Sequence, residues 1–268
     1  MGDITPAELD NANRTWSYDR HLRPYFLLLG RLGREGLESR QNFPRRIQLS
    51  KGIHKLLEDM RSDQRDGNER FALMGYRDDS PDIILPSSLV VGEKDHIRGK
   101  SIREERDRFK KEEQISSLVG DLHSHPRGLY YPSWWVEDFQ SVGERLQSVV
   151  DITGAIDNAS FSPADMYCLV SQLSTFPEFI PVMGVAEGRK NIFSFATRET
   201  FEVRSGDMTQ DQFTGYWNGK YNFNNPKIRT KADSEWWSRS WMMNLDIAHT
   251  HNIVLYKGDS GTDLIREI

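Results

Sequence analysis

A short apolar stretch that ends in two histidines and a proline constrains this chain more than any other feature of its sequence. Residues 118–126 read Leu-Val-Gly-Asp-Leu-His-Ser-His-Pro. An extended strand turns alternate side chains to opposite faces, so His123 and His125 share one face. Pro126 cannot continue a central strand, so we expect the strand to stop there and to leave both imidazoles at its end. Two neutral imidazoles at one point supply two of the three protein ligands of a typical catalytic zinc site.

The candidate for the third ligand is Asp165. It belongs to the sequence Ser162-Pro163-Ala164-Asp165, which is typical of a helix N-terminus: a hydroxyl cap, a proline in the first turn and an acid near the positive end of the helix dipole. Standing alone, this sequence is an ordinary helix start. A helix that begins against the end of the histidine strand would also direct Ser162 and Asp165 toward the two imidazoles.

Two further acids lie where a base or a supporting carboxylate is needed. Glu69 directly precedes an apolar strand predicted at 71–75 and is the candidate general base, although by itself it reads as a surface glutamate. Asp121 lies two residues before His123 and therefore on the same strand face. It is either a carboxylate that orients an imidazole from behind or an exposed acid.

Together these residues resemble the signature of the JAMM (MPN+) metallopeptidase family, an upstream glutamate followed by His-x-His-Pro and then by Ser-x-x-Asp. The matching positions are Glu69, His123, His125, Pro126, Ser162 and Asp165. The resemblance covers residues 44–200. The segment 127–158 is then an insertion, longer than is usual in the family. Asn68 stands at the family's usual distance from Gly75, but an amide cannot act as a general base, and a bulge of one residue would allow Glu69 to take that place.

The resemblance implies a Zn²⁺ cofactor held by His123, His125 and Asp165, with water in the fourth position. Glu69 would take a proton from that water and pass it to the leaving amine, and Ser162 would hydrogen-bond the oxyanion. The implied substrate is an amide or isopeptide bond at the C-terminal tail of a ubiquitin-like protein. The implied partners are that protein, its conjugates and other proteins of a prokaryotic ubiquitin-like conjugation or antiphage system. Aromatic residues of the insertion would either clamp the tail or pack in the core: Tyr130, Tyr131, Trp134 and Trp135.

Two other functions use the same residues. One is a non-catalytic scaffold of the same fold, although such family members typically lose the metal ligands and all of them are present here. The other is a zinc hydrolase that acts on a different small amide. Metal analysis distinguishes the scaffold from an enzyme. A panel of ubiquitin-like substrates and small amides distinguishes the other hydrolase from the isopeptidase.

A second pair of histidines, His249 and His251, also precedes a Ser-x-x-Asp sequence, Ser260 to Asp263. No proline follows His251. The apolar run at 252–256 reads instead as an uninterrupted strand, which would carry Asp263 away from the pair. We therefore predict that the first set is the metal site and that His249 and His251 occupy alternating positions on a partly buried strand.

The remaining pattern predicts an α/β or α+β fold, a JAMM/MPN-like mixed sheet flanked by helices. Apolar runs favour strands at 46–49, 71–75, 82–91, 179–186, 191–197, 199–204 and 252–257, and helical periodicity favours helices at 17–35, 50–60, 162–173 and 232–246. The charged segment 92–116 reads as a solvated helix or loop, or as an insertion that contacts substrate. We expect an N-terminal helical arm at 1–43, a metallopeptidase domain at 44–205 and a C-terminal extension at 206–268.

Charge and cysteine content narrow the function classes. The net charge of -5 gives no electrostatic footprint for nucleic acid. The single cysteine, Cys168, excludes an intrachain disulfide and fits a reducing compartment. The N-terminus lacks the pattern of a secretory signal, and the apolar runs are too short for a membrane span. We therefore expect a cytoplasmic protein that binds neither nucleic acid nor membrane.

Overall fold

The computed structural model describes residues 15–18, 43–62, 68–79, 84–92, 99–125, 159–175, 182–187, 189–197, 200, 208–223, 225 and 234–268. Its strands are β1 (Thr15–Ser17), β2 (Arg46–Gln48), β3 (Arg70–Tyr76), β4 (Leu85–Pro86), β5 (Val90–Val91), β6 (Ser117–Ser124), β7 (Val182–Glu187), β8 (Lys190–Phe195), β9 (Val254–Asp259) and β10 (Leu264–Arg266). Its helices are α1 (Lys51–Ser62), α2 (Gly99–Glu112), α3 (Pro163–Thr175), α4 (Gln210–Lys220) and α5 (Ser234–Thr250). The predicted fold class, a mixed sheet flanked by helices, is confirmed.

The strands form one sheet in the order β1-β2-β10-β9-β8-β7-β6-β3-β4, with β5 also paired to β3. The pairs β1/β2 and β6/β7 are parallel, and the other pairs are antiparallel. All three predicted divisions of the chain contribute strands, because β1 lies before residue 44 and β9 and β10 lie after residue 205. The histidine strand β6 lies between β3 and β7, well inside the sheet.

The two faces of the sheet are covered by different helices. On one face, Leu122 of β6 lies in an apolar cluster with residues of α1: Ile53, Leu56, Leu57 and Met60. These four residues form the apolar stripe of the helix that periodicity predicted at 50–60. Ser50 caps this helix by accepting a hydrogen bond from the N–H of Ile53 at 3.3 Å. On the opposite face, Met183 and Val185 of β7 pack in a second cluster with residues of α3, α4 and α5. The parallel register aligns these two residues with Asp121 and His123, so the histidines face the α3 side.

Several boundaries differ from those expected. Helix α5 runs to Thr250 instead of ending at residue 246, and Asn252, with a positive φ of 53°, makes the turn into β9. Neither α4 nor β10 was predicted. The charged segment contains α2, whose Phe109 is fully buried. Most of the strand expected at 199–204 and most of the helix expected at 17–35 lie outside the described residues. None of the described helices is long and apolar enough to cross a membrane.

Candidate metal centre

Strand β6 brings the first histidine pair together as its alternation predicts. The strand ends at Ser124, and the N–H of His125 still donates to the carbonyl of Ala186 in β7 at 3.3 Å. The rings of His123 and His125 lie with their centroids 5.2 Å apart. Both residues are buried, with 7% and 8% of their surface exposed.

The N-terminus of α3 supplies Asp165. The N–H of Asp165 donates to Oγ of Ser162 at 3.2 Å, and the N–H of Ser162 donates to Oδ2 of Asp165 at 2.7 Å. This reciprocal pair satisfies two backbone donors at the start of the helix and holds the carboxylate in place. The same local sequence therefore serves as a helix cap and as a carboxylate support.

These elements bring one carboxylate against two imidazoles. Asp165 Oδ1 lies 3.5 Å from Nε2 of His123, and Oδ2 lies 3.3 Å from Nε2 of His125. One ligand atom from each of the three residues lies within 4.8 Å of the other two. In the part of the chain that the structure describes, this is the only group of three or more His, Cys, Asp or Glu side chains placed to hold a metal ion.

The two separations between imidazole and carboxylate are those expected between ligands of one metal ion. With bonds of about 2.1 Å, the ligand atoms of a tetrahedral zinc site lie about 3.4 Å apart. The buried Nε2 of His123 makes no hydrogen bond to the described residues, which is costly unless the atom has another partner. The group of His123, His125 and Asp165 can therefore hold a metal ion.

The Nδ1 atom of each imidazole contacts a carboxylate. Nδ1 of His123 lies 3.3 Å from Oδ1 of Asp121, and Nδ1 of His125 lies 3.1 Å from Oε2 of Glu187. A carboxylate accepts hydrogen bonds, so each Nδ1 donates, and Nε2 offers its lone pair to a ligand once it carries no proton. Asp121 is buried, so it is not the exposed acid that the sequence left open. Glu187 was missed, and its only signal in the sequence is an acid at the end of an apolar run.

The electrostatics of the cluster favour positive charge at its centre. Burial by itself lowers the pKa of His123, but the charge of Asp165 and the hydrogen bond to Asp121 outweigh it and raise that pKa to about 10. The pKa of His125 is also raised, against the effect of burial, by Asp165 and Glu187. Burial opposes ionisation of Asp165, yet the two imidazoles hold its pKa well below the usual range. The carboxylates of Asp121, Asp165 and Glu187 thus favour a cation at the centre of the cluster.

The register of β3 against β6 bears on the candidate base. Phe71 pairs with His123 and Arg70 with Ser124, where the ladder ends. If this register continued by one residue, Glu69 would lie opposite His125. Directly opposed residues of an antiparallel pair share a face. Continued alternation would place Glu69, and not Asn68, on the histidine face. Glu69 is half-buried, and its carbonyl accepts a hydrogen bond from the N–H of Gly92 at 2.9 Å.

The second histidine pair is not where the sequence placed it. His249 lies exposed in the last turn of α5, and His251 lies buried just beyond it, with its ring 5.8 Å from that of Phe213. The expectation of alternating strand positions was wrong, because α5 extends through His249. Asp263 lies 3.7 Å from the guanidinium of Arg46. The aromatic residues expected to clamp substrate, Tyr130, Tyr131, Trp134 and Trp135, lie outside the described residues.

Comparison with known proteins does not assign this chain to a family. No protein family model matches the sequence, and no match was found among curated proteins or among solved structures.

Proposed function

We propose that this protein is a zinc-dependent isopeptidase of the JAMM (MPN+) type, which cleaves after the C-terminal tail of a ubiquitin-like protein. The observation that carries the proposal is the convergence of His123, His125 and Asp165 at separations suited to zinc. The order of the motif along the chain supports the same family. The supporting carboxylates behind both imidazoles are also typical of metal-binding histidines.

His123 and His125 would bind Zn²⁺ through Nε2, and Asp165 through its carboxylate. The bound cation would supply Lewis-acid chemistry, acidifying a water and polarising the scissile carbonyl. Burial of both histidines would keep bulk water away from this point and strengthen the electrostatic interactions there. Asp165 is the most exposed of the three residues, with 20% of its side chain accessible.

Glu69 would be the general base. It would accept a proton from the attacking water and return it to the amine that leaves as the amide bond breaks. Glu69 lies one residue beyond the last β3/β6 pair, Arg70 with Ser124, and a continued register would set it opposite His125, which supports this role. Asn68 would fall on the other face of a continued strand, and its amide cannot accept the proton.

Ser162 would stabilise the oxyanion. Its Oγ accepts the N–H of Asp165, which leaves the hydroxyl proton to donate to a substrate oxygen. A fixed donor of this kind is typically worth about 3 kcal/mol in the transition state. One residue thus holds the metal-binding carboxylate with its backbone N–H and would hold the substrate with its O–H.

The test begins with tag-free protein, because a histidine tag carries metal itself. Zinc content is measured per chain, and cleavage is followed on a ubiquitin-like protein fused through its C-terminal tail, on an isopeptide-linked conjugate and on small amides. The proposal predicts about one Zn²⁺ per chain. It also predicts cleavage of the two protein substrates and loss of that cleavage with chelator.

The outcomes separate the alternatives. Protein that binds no zinc and cleaves no substrate would favour the scaffold. Cleavage of small amides alone would favour a hydrolase of another class. Protein that binds no zinc and retains full cleavage would contradict the proposal.

A further inference from the structure

Glu187 lies outside the motif that the sequence shares with a metallopeptidase family, yet it contacts the candidate metal centre. It is the last residue of β7, and 62 positions separate it from His125. Its Oε2 lies 3.1 Å from Nδ1 of His125. The side chain is only 7% exposed, and an acid is rarely buried so fully without a defined partner.

The parallel pairing of β6 and β7 accounts for this contact. Ser124 pairs with Ala186, so the ends of the two strands lie side by side, and the N–H of His125 donates to the carbonyl of Ala186. The backbone of His125 is therefore fixed by the residue directly before Glu187, and its ring by Glu187 itself. Both contacts come from one strand end.

The two histidines are supported in different ways. His123 is held by Asp121, which lies two residues earlier in the same strand. His125 is held by a residue of the neighbouring strand, so its orientation depends on the tertiary structure. Strand β7 continues into β8 by a tight connection, since Glu187 pairs with Lys190. The metal centre is thereby tied to the β7–β8 hairpin.

We propose that Glu187 is a positioning residue for metal binding: it accepts the Nδ1–H of His125, fixes the ring and its tautomer, and so presents Nε2 to the cation. This inference rests on the metal site of the proposed function and deepens it. It does not depend on the identity of the substrate. Removal of such a partner typically weakens metal affinity by about 10–100-fold.

The test measures Zn²⁺ affinity by competition with a chromophoric chelator, without substrate. Glu187→Gln replaces the charged acceptor by a neutral amide of the same size, and Glu187→Asp keeps the charge but shortens the reach. Glu104→Gln, on the exposed face of α2, is the matched control. The proposal predicts affinity about 10–100-fold weaker in both Glu187 variants and unchanged in the control. The visible spectrum of the Co²⁺-substituted protein would also change in both variants.

Other results would contradict the inference. Unchanged Zn²⁺ affinity with an unchanged Co²⁺ spectrum in Glu187→Gln would remove the positioning role while leaving the proposed peptidase intact. Loss of folded structure in both variants, measured by circular dichroism, would make Glu187 a support of the fold instead. Weaker zinc binding in a protein that cleaves no ubiquitin-like substrate would keep the inference and reject the proposed function. Native protein with no Zn²⁺ affinity would reject both.

Discussion

The chain contains two His-x-His pairs, each followed by Ser-x-x-Asp, and the structure separates them clearly. His123 and His125 lie at a strand end, share one face and meet Asp165. His249 and His251 lie at a helix end, one exposed and the other buried. Residues two apart share a face in a strand but point nearly to opposite sides in a helix. The spacing of ligands is therefore informative only together with the secondary structure that carries it.

The serine and aspartate that follow each pair differ in the same way. Ser162 and Asp165 bond reciprocally at the start of α3, which fixes the carboxylate beside the imidazoles. Ser260 and Asp263 lie around the turn between β9 and β10, where Asp263 is placed near Arg46. The second set therefore provides residue-matched controls for the first.

The largest expected effect comes from Asp165→Asn compared with Asp263→Asn. An amide still caps α3, but it lacks the charge that binds a divalent cation. We expect zinc content to fall from about one per chain to background in Asp165→Asn, with loss of cleavage. Asp263→Asn should keep both. Elemental analysis of tag-free protein checks this, and equal zinc in the two variants would contradict the assignment.

The next effect is that of Glu69→Gln compared with Glu104→Gln. A neutral amide cannot accept the proton of the attacking water, so kcat should fall by about 100–10,000-fold while zinc content stays unchanged. Glu104 lies exposed on α2, so its variant should match the native protein. Steady-state kinetics on a ubiquitin-like fusion gives kcat for both variants. Full activity in Glu69→Gln would exclude it as the base.

A smaller effect is expected for Ser162→Ala, with Thr209→Ala as its control. Thr209 caps α4 with the same reciprocal bonds, so each change should cost about 1 kcal/mol of unfolding free energy. Only Ser162→Ala should also lower kcat, by about 100–1,000-fold. Chemical denaturation and kinetics on both variants separate the capping role from the catalytic one. A matching loss of kcat in Thr209→Ala would trace the effect to stability.

The smallest effect distinguishes the two members of the second pair. His251 is buried beside Phe213, so His251→Ala should lower the free energy of unfolding by about 1–3 kcal/mol. His249 is exposed, and His249→Ala should change it by no more than about 0.5 kcal/mol. Both should bind zinc as the native protein does. Reduced zinc binding in either variant would reopen the second pair as a ligand set.

Local chemistry made much of the site predictable. Strand alternation brought His123 and His125 to one face, the proline marked the strand end, and the cap sequence marked the start of α3 at Pro163. The stripe of α1 follows from helical periodicity in the same way. The start of helix α4 could also have been predicted from the sequence, because Thr209 and Gln212, three residues apart, form a capping box.

Features that depend on tertiary contacts could not be predicted. Glu187 reaches His125 only because β6 and β7 pair in parallel, and no local pattern specifies that pairing. The end of α5 was misjudged because the apolar run after residue 252 fits a strand, whereas the helix continues through His249 and turns at Asn252. Such boundaries depend on packing against β9 and the second apolar cluster.

The most direct test of the account is a crystal of tag-free protein grown with Zn²⁺, with diffraction collected at the zinc absorption edge. We predict one anomalous peak within bonding distance of Nε2 of His123, Nε2 of His125 and a carboxylate oxygen of Asp165, at about 2.0–2.2 Å. A zinc-bound crystal with no peak at that point, or with its peak at the second histidine pair, would contradict the central claim.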